Sequence, residues 1–177
     1  FNTKQVSTYE YMFNCCESLK TLDLSSFEMY PYGCDLSGMF AICSELESLN
    51  IENMKFKEGE EIQVDYMFSS CPKLKYVDLS GFDGAAITSI YGMFNDCSSL
   101  ENLDVSKLNN TESAEDMGDV FYGCSSLTKI DVSGFDTKNV RDMSGMFYGC
   151  SSVKELDLRN FNTNRVEDFS SMFSGCS

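Results

Sequence analysis

Cysteine and aspartate are the residues of this 177-residue chain that have chemistry to offer, and histidine is missing altogether. Nine cysteines could act as disulfides, thiolate metal ligands or nucleophiles. Seven of them hold one recurring place, three residues after a phenylalanine: Phe13/Cys16, Phe40/Cys43, Phe68/Cys71, Phe94/Cys97, Phe121/Cys124, Phe147/Cys150 and Phe173/Cys176. A structural zinc site draws its thiolates in close pairs, often completed by histidine. One thiol every 26 to 28 residues, with no C-x-x-C pair, does not close such a site. A nucleophilic thiol or hydroxyl needs an adjacent base, and without histidine neither a Cys-His pair nor a Ser-His-Asp set can be assembled. Two carboxylates hydrolyse a glycoside only when their surroundings differ. The aspartates here recur in like settings, and no glycine-rich phosphate loop is present. The expectation is a chain that is not an enzyme and needs no cofactor or metal.

The spacing itself is the stronger signal. Seven Phe–Cys pairs at a near-constant interval mean that one structural unit is copied along an axis. The expected organisation is a single unit, 1–177, of about seven repeats with no linker. Stacking would bring equivalent cysteines within disulfide reach of one another. Seven equivalent sites cannot all pair, however, so the reading is a ladder of buried, reduced thiols that fill space as small hydrophobes. Cys15 and Cys34 fall outside the ladder, and a bridge between them in an oxidising compartment stays open.

Elements must carry those positions. In the cleanest repeat, Asp136 to Phe161, Val140, Met143, Met146 and Phe147 fall at i, i+3, i+6 and i+7, which predicts a helix of two to three turns with one apolar face. Thr137 or Asn139 would cap its start, and Gly149 would end it in a left-handed conformation. Cys15, Ile42, Ser70 and Asp96 stand at the Gly149 position elsewhere. After Cys150, Val153, Leu156 and Leu158 read as a short strand. The predicted fold class is therefore an α/β repeat solenoid: a leucine-rich-repeat-like right-handed coil with a parallel β-sheet on one face and short helices on the other. Its strand ladder would run Leu22, Leu49, Val77, Leu103, Ile130, Leu156, and its turn ladder Phe27, Met54, Phe82, Leu108, Phe135, Phe161.

Composition narrows the partners. A net charge of −15 repels phosphate backbones and anionic lipid, so nucleic acid is not an expected partner. No apolar run reaches the roughly 18 residues of a membrane span, so no membrane insertion by this segment is expected. With 42% hydrophobic residues the repeats can share a continuous core. Phe1 to Val6 matches Phe161 to Val166, so the chain opens inside a repeat and neither end carries a polar capping unit. It reads as a piece of a longer protein.

Ligand-facing candidates follow from the register. The outward position between two inward strand residues is Asp23, Asn50, Asp78, Asp104, Asp131 and Asp157. Strands in register would align these at about 4.8 Å on the exposed sheet face, as a line that attracts cations or basic side chains. Alternatively each aspartate hydrogen-bonds neighbouring backbone as a feature of the repeat. Tyr30 and Tyr32, in the irregular Met29-Tyr30-Pro31-Tyr32 stretch, are further contact candidates. Lys55 to Glu61 is a charged bulge, and Asn109-Asn110-Thr111 matches a glycosylation acceptor pattern.

The string Met146-Phe147-Tyr148-Gly149-Cys150-Ser151-Ser152-Val153, with Leu156-Asp157-Leu158 and Phe161-Asn162-Thr163-Asn164-Arg165-Val166, resembles the 26-residue repeat of BspA-like leucine-rich-repeat bacterial surface proteins. These are also grouped with a family of unknown function abundant in mycoplasmas. The likeness covers nearly the whole chain, with Asn50-Ile51, Lys107-Leu108 and Val120 as local departures. It implies a secreted or cell-surface location and an adhesin-like function, the binding of a host or matrix protein. A stiff spacer that holds another domain away from the cell surface is the alternative.

Overall fold

The computed structural model describes residue 6 and residues 8–26 and 34–177. Successive repeats do pack on one another, but the α/β solenoid expected from the sequence, with helices along one face and a continuous sheet along the other, is not what forms. Among the described residues there is no α-helix, and the one helical element is a three-residue 3-10 turn, Ser80–Phe82. The strands are short: β1 (Thr21–Asp23), β2 (Cys34–Asp35), β3 (Ser48–Asn50), β4 (Glu61–Gln63) and β5 (Ala86–Ser89).

Backbone conformation explains the missing helices. Gly149 takes the left-handed φ expected of it at the end of the segment, but a second left-handed residue lies four positions earlier, inside the predicted helix: Gly145 before Gly149 in the cleanest repeat, and Tyr11 before Cys15, Tyr66 before Ser70 or Asp119 before Gly123 in others. An α-helix cannot pass through such residues. The segment becomes a run of tight turns in which Met146, Tyr148 and Cys150 each donate to the carbonyl three residues back. The intervening N–H groups cross to the next repeat, with Gly145 bonded to Ser170, Phe147 to Met172 and Gly149 to Ser174. Every second amide thus ties two repeats together instead of closing a helical ring. The expected helix caps are used otherwise: Thr137 is buried, and its hydroxyl clasps both the carbonyl and the amide of Asn162.

Parallel pairing runs along two lines rather than one sheet. On the first, β1 pairs β3 with Leu22 opposite Leu49, and Leu103 forms a bridge with Ile130. Leu156-Asp157-Leu158, read as a strand, is irregular. The second line lies just before the turn segments, where β4 sits between β2 and β5 and bridges join Asp116 to Asp142 and Asp142 to Asp168.

The core lies between these lines and the turns. Phe13, Phe40, Phe68, Phe94, Phe121, Phe147 and Phe173 form one stack, with neighbouring ring centroids 5.4 to 6.1 Å apart and planes within 12° of parallel. From Phe40 to Phe147 the rings are fully buried. Met54, Phe82, Leu108 and Phe135 are buried as a second column. Each of these side chains contributes roughly 1.5 to 3 kcal/mol by leaving water. Phe27 of that column lies outside the described residues.

Candidate functional site

The outward aspartate column is an Asx-turn column. Asp23, Asp78, Asp104, Asp131 and Asp157 each accept, through Oδ1, the backbone N–H two residues on, at 2.8 to 3.1 Å. Asn50 does the same for Glu52. A short acceptor at that spacing stabilises the turn that follows the strand position, which is why the residue type recurs. Hydrogen bonds from Ser25 hold the Asp23 carboxyl below its ordinary range, and those from Ser106 and Ser133 do the same at Asp104 and Asp131. Asp157 is lowered to about 2, chiefly by hydrogen bonds from the Arg159 guanidinium, whose Nη2 lies 2.5 Å from Oδ2. One oxygen of each carboxylate is spent on the turn while the side chains stay on the surface, those of Asp23, Asp104, Asp131 and Asp157 well exposed. Tyr30 and Tyr32, the other ligand-facing candidates, lie outside the described residues.

A second carboxylate column escaped the sequence reading. Asp35, Asp116, Asp142 and Asp168 accept the amides of Ser37, Gly118, Ser144 and Ser170 at 2.6 to 2.8 Å. Where Ser89 interrupts this column, Asp65 of the preceding repeat reaches over and takes both the Ser89 hydroxyl and the Tyr91 amide. Partial burial, then the nearby Asp142, Asp65 and Asp119 charges, push the Asp116 carboxyl up. The signal was available as aspartate five residues before the phenylalanine in four of the repeats.

The thiols are hydrogen-bonded as well as packed. Cys43, Cys71, Cys97, Cys124, Cys150 and Cys176 each direct Sγ at the carbonyl of the preceding repeat's phenylalanine, at 2.9 to 3.2 Å. All nine cysteines are free, Cys15 and Cys34 included. Burial pushes the Cys97 and Cys150 thiols up to about 12, so neither is a nucleophile near neutrality. Among the described residues no cluster of three or more Cys, Asp or Glu is arranged to hold a metal ion. The acceptor pattern at Asn109 is also committed elsewhere, because Thr111 is fully buried and its hydroxyl clasps the Asp136 backbone. The charged bulge from Lys55 turns through Glu58 and Gly59 and leads into β4, with the Gly59 amide bonded to Gly84.

One concavity coincides with the candidate residues. A groove of about 1090 Å³ lies between the strand positions of the fifth and sixth repeats, around Ile130 and Leu156. Asp131 and Asp157 belong to its lining, together with Lys129, Lys154, Glu155 and Arg159. The three basic residues were not singled out from the sequence, since they stand at three different places in the repeat, where the adjoining repeat carries Glu155, Thr128 and Ser133.

A family model described as a Mycoplasma protein of unknown function, DUF285, matches residues 1–76 and, in a second overlapping stretch, residues 62–177. No curated protein and no solved structure matches the chain. The two stretches together span every repeat described above, and the chain belongs to this DUF285 family.

Proposed function

We propose that the chain is a non-catalytic binding module of a cell-surface or secreted protein, adhesin-like in action, that presents the outer side chains of its repeats to a protein ligand. The observation that carries this reading is the contrast between inside and outside. The interior holds phenylalanine and cysteine at the same two positions in all seven repeats, and the rings stack without interruption. The outer position beside the strand column holds Thr21, Ser48, Tyr76, Asn102, Lys129 and Glu155, no two alike. A scaffold that is uniform within and individual without is suited to recognition, where specificity comes from a particular set of side chains. Likeness to the BspA-like repeats supports the surface location and the protein ligand. The lack of histidine and the suppressed ionisation of the buried thiols support a role without catalysis.

The test is binding of the 177-residue chain to immobilised matrix and serum proteins, measured by surface plasmon resonance. Saturable binding at micromolar concentration is expected. No saturable partner in that range would favour the alternative, a structural spacer that holds another domain away from the cell.

A further inference from the structure

Acidic and basic side chains are not shared evenly between the faces of the array. The seven turn segments that carry the phenylalanines, 8–16, 35–43, 63–71, 89–97, 116–124, 142–150 and 168–176, contain eight Asp or Glu and no Lys or Arg, although the chain has 13 basic residues. The ion pairs of Lys73, Lys107, Lys138, Arg141 and Arg159 all use carboxylates outside these segments. A carboxylate that accepts an amide or phenol hydrogen bond keeps its charge, and Asp116, raised first by partial burial, also feels Asp142, Asp65 and Asp119. The turn face is the strongly negative side of a chain whose net charge is −15.

Tyrosines lie among those carboxylates. Tyr122 and Tyr148 stack with ring centroids 4.4 Å apart and planes 5° from parallel. Tyr66 meets Tyr91 edge-on at 5.1 Å, and the Tyr91 hydroxyl donates to Asp119 Oδ2 at 2.9 Å. Asp119 and Tyr122 both lie over Gly145, so that carboxylate joins the two pairs of rings into one surface. Partial burial, then the neighbouring Tyr148 and Asp96, push the Tyr122 hydroxyl above its ordinary range, and Asp96 itself lies over Gly123. None of these rings is in the core: Tyr66 is 39% exposed and the other three are half-buried. At the Tyr148 position the next repeat carries Ser174, which is too short to cover the ring.

We propose that the turn face between Tyr66 and Tyr148 binds an arginine-bearing segment of the partner protein. The idea rests on the binding-module reading and names the face that the ligand would meet. Arginine fits because its guanidinium is planar: it can lie against a tyrosine ring while its N–H groups reach the carboxylates beside that ring. The ammonium of lysine, compact and strongly hydrated, matches only the charge. Negative potential over the whole face draws a cation to it, and the rings among the carboxylates choose which cation stays.

The probe is a fluorescein-labelled octapeptide of alternating arginine and glycine, titrated with the chain and followed by anisotropy. Saturable binding is expected, weakened by at least about tenfold in the double variant Asp96→Asn, Asp119→Asn. The exposed pair Glu52→Gln, Glu101→Gln removes the same charge elsewhere and should weaken it by less than about twofold. Asparagine tolerates the left-handed φ that both aspartates hold, and thermal unfolding checks that each variant is folded. Tyr122→Leu, Tyr148→Leu should weaken the arginine peptide several-fold and bring it level with a lysine–glycine octapeptide. Equal loss in the two charge-matched variants, indifference to the tyrosine variant, no saturation into the millimolar range, or equally tight binding of the lysine peptide to the parent would each overturn the proposal. A matrix or serum protein that binds the parent and the Asp96→Asn, Asp119→Asn variant alike would sink the face assignment and leave the binding module standing. No saturable protein partner, with the peptide behaving as expected, would sink the module and leave a face that binds arginine.

Discussion

Ile42 holds a conformation that β-branched residues avoid, with φ at +59° on an exposed turn. The left-handed region costs an L-residue roughly 1–2 kcal/mol, and glycine occupies it freely at the price of a more flexible unfolded chain. Ile42→Gly is therefore expected to raise stability by about 1 kcal/mol, and Gly149→Val, at the equivalent place, to lower it by a similar amount. Urea unfolding of both variants checks this, and a destabilised Ile42→Gly would mean the strain is not there. The thiols make a second residue-scale prediction. Cys97 and Cys150 have pKa values raised from the ordinary 9.0 to about 12, so folding suppresses their ionisation. Their contribution to stability is complete below pH 9 and is lost as pH rises through about 12. A stability profile that stays level in this respect to pH 9 and then declines is the expected result. At pH 8 a thiol reagent should label the exposed Cys15 and Cys176 first, and all nine cysteines only after unfolding.

At the scale of the element, the phenylalanine stack joins repeats that share no helix. Phe94 lies 5.4 Å from Phe68 and 6.1 Å from Phe121, fully buried between them. Phe94→Ala is expected to cost about 3–5 kcal/mol, because the rings on either side cannot close over the gap. Urea unfolding that matches the parent would show that the rings do not bear on stability. Positions in the repeat were legible from the sequence, since Leu22 does lie opposite Leu49 and the phenylalanines and cysteines do form columns. The strands around Leu22 and Leu49 were legible too, but the element before each cysteine was not. Apolar residues three and four apart put side chains on one face of a helix, but a run of turns with bonds to the third residue back produces the same spacing. Gly145, four residues before Gly149, was the visible clue, since two left-handed positions at that interval exclude a helix.

Over the whole molecule, the aspartate column was legible as a column, and its attachment to the backbone explains why it recurs. The basic residues of the groove were not legible, because Lys129, Lys154 and Arg159 stand at three different places in the repeat and the adjoining repeat carries other residue types there. The left-handed residues carry one more consequence. Tyr11 lies over Gly38, Tyr66 over Gly92 and Asp119 over Gly145, and a Cβ on those glycines would fall within 2.8 Å of the overlying side chain. Bulk and glycine thus alternate along the axis, which gives the array a two-repeat phase. Excision of residues 34–60 would set Tyr11 against Tyr66, whereas excision of 34–86 would set it against Gly92 and keep the alternation. The shorter deletion is expected to melt lower than the longer one in a thermal scan, despite retaining more chain. If so, recombination in the gene would be free to add or remove units only in pairs.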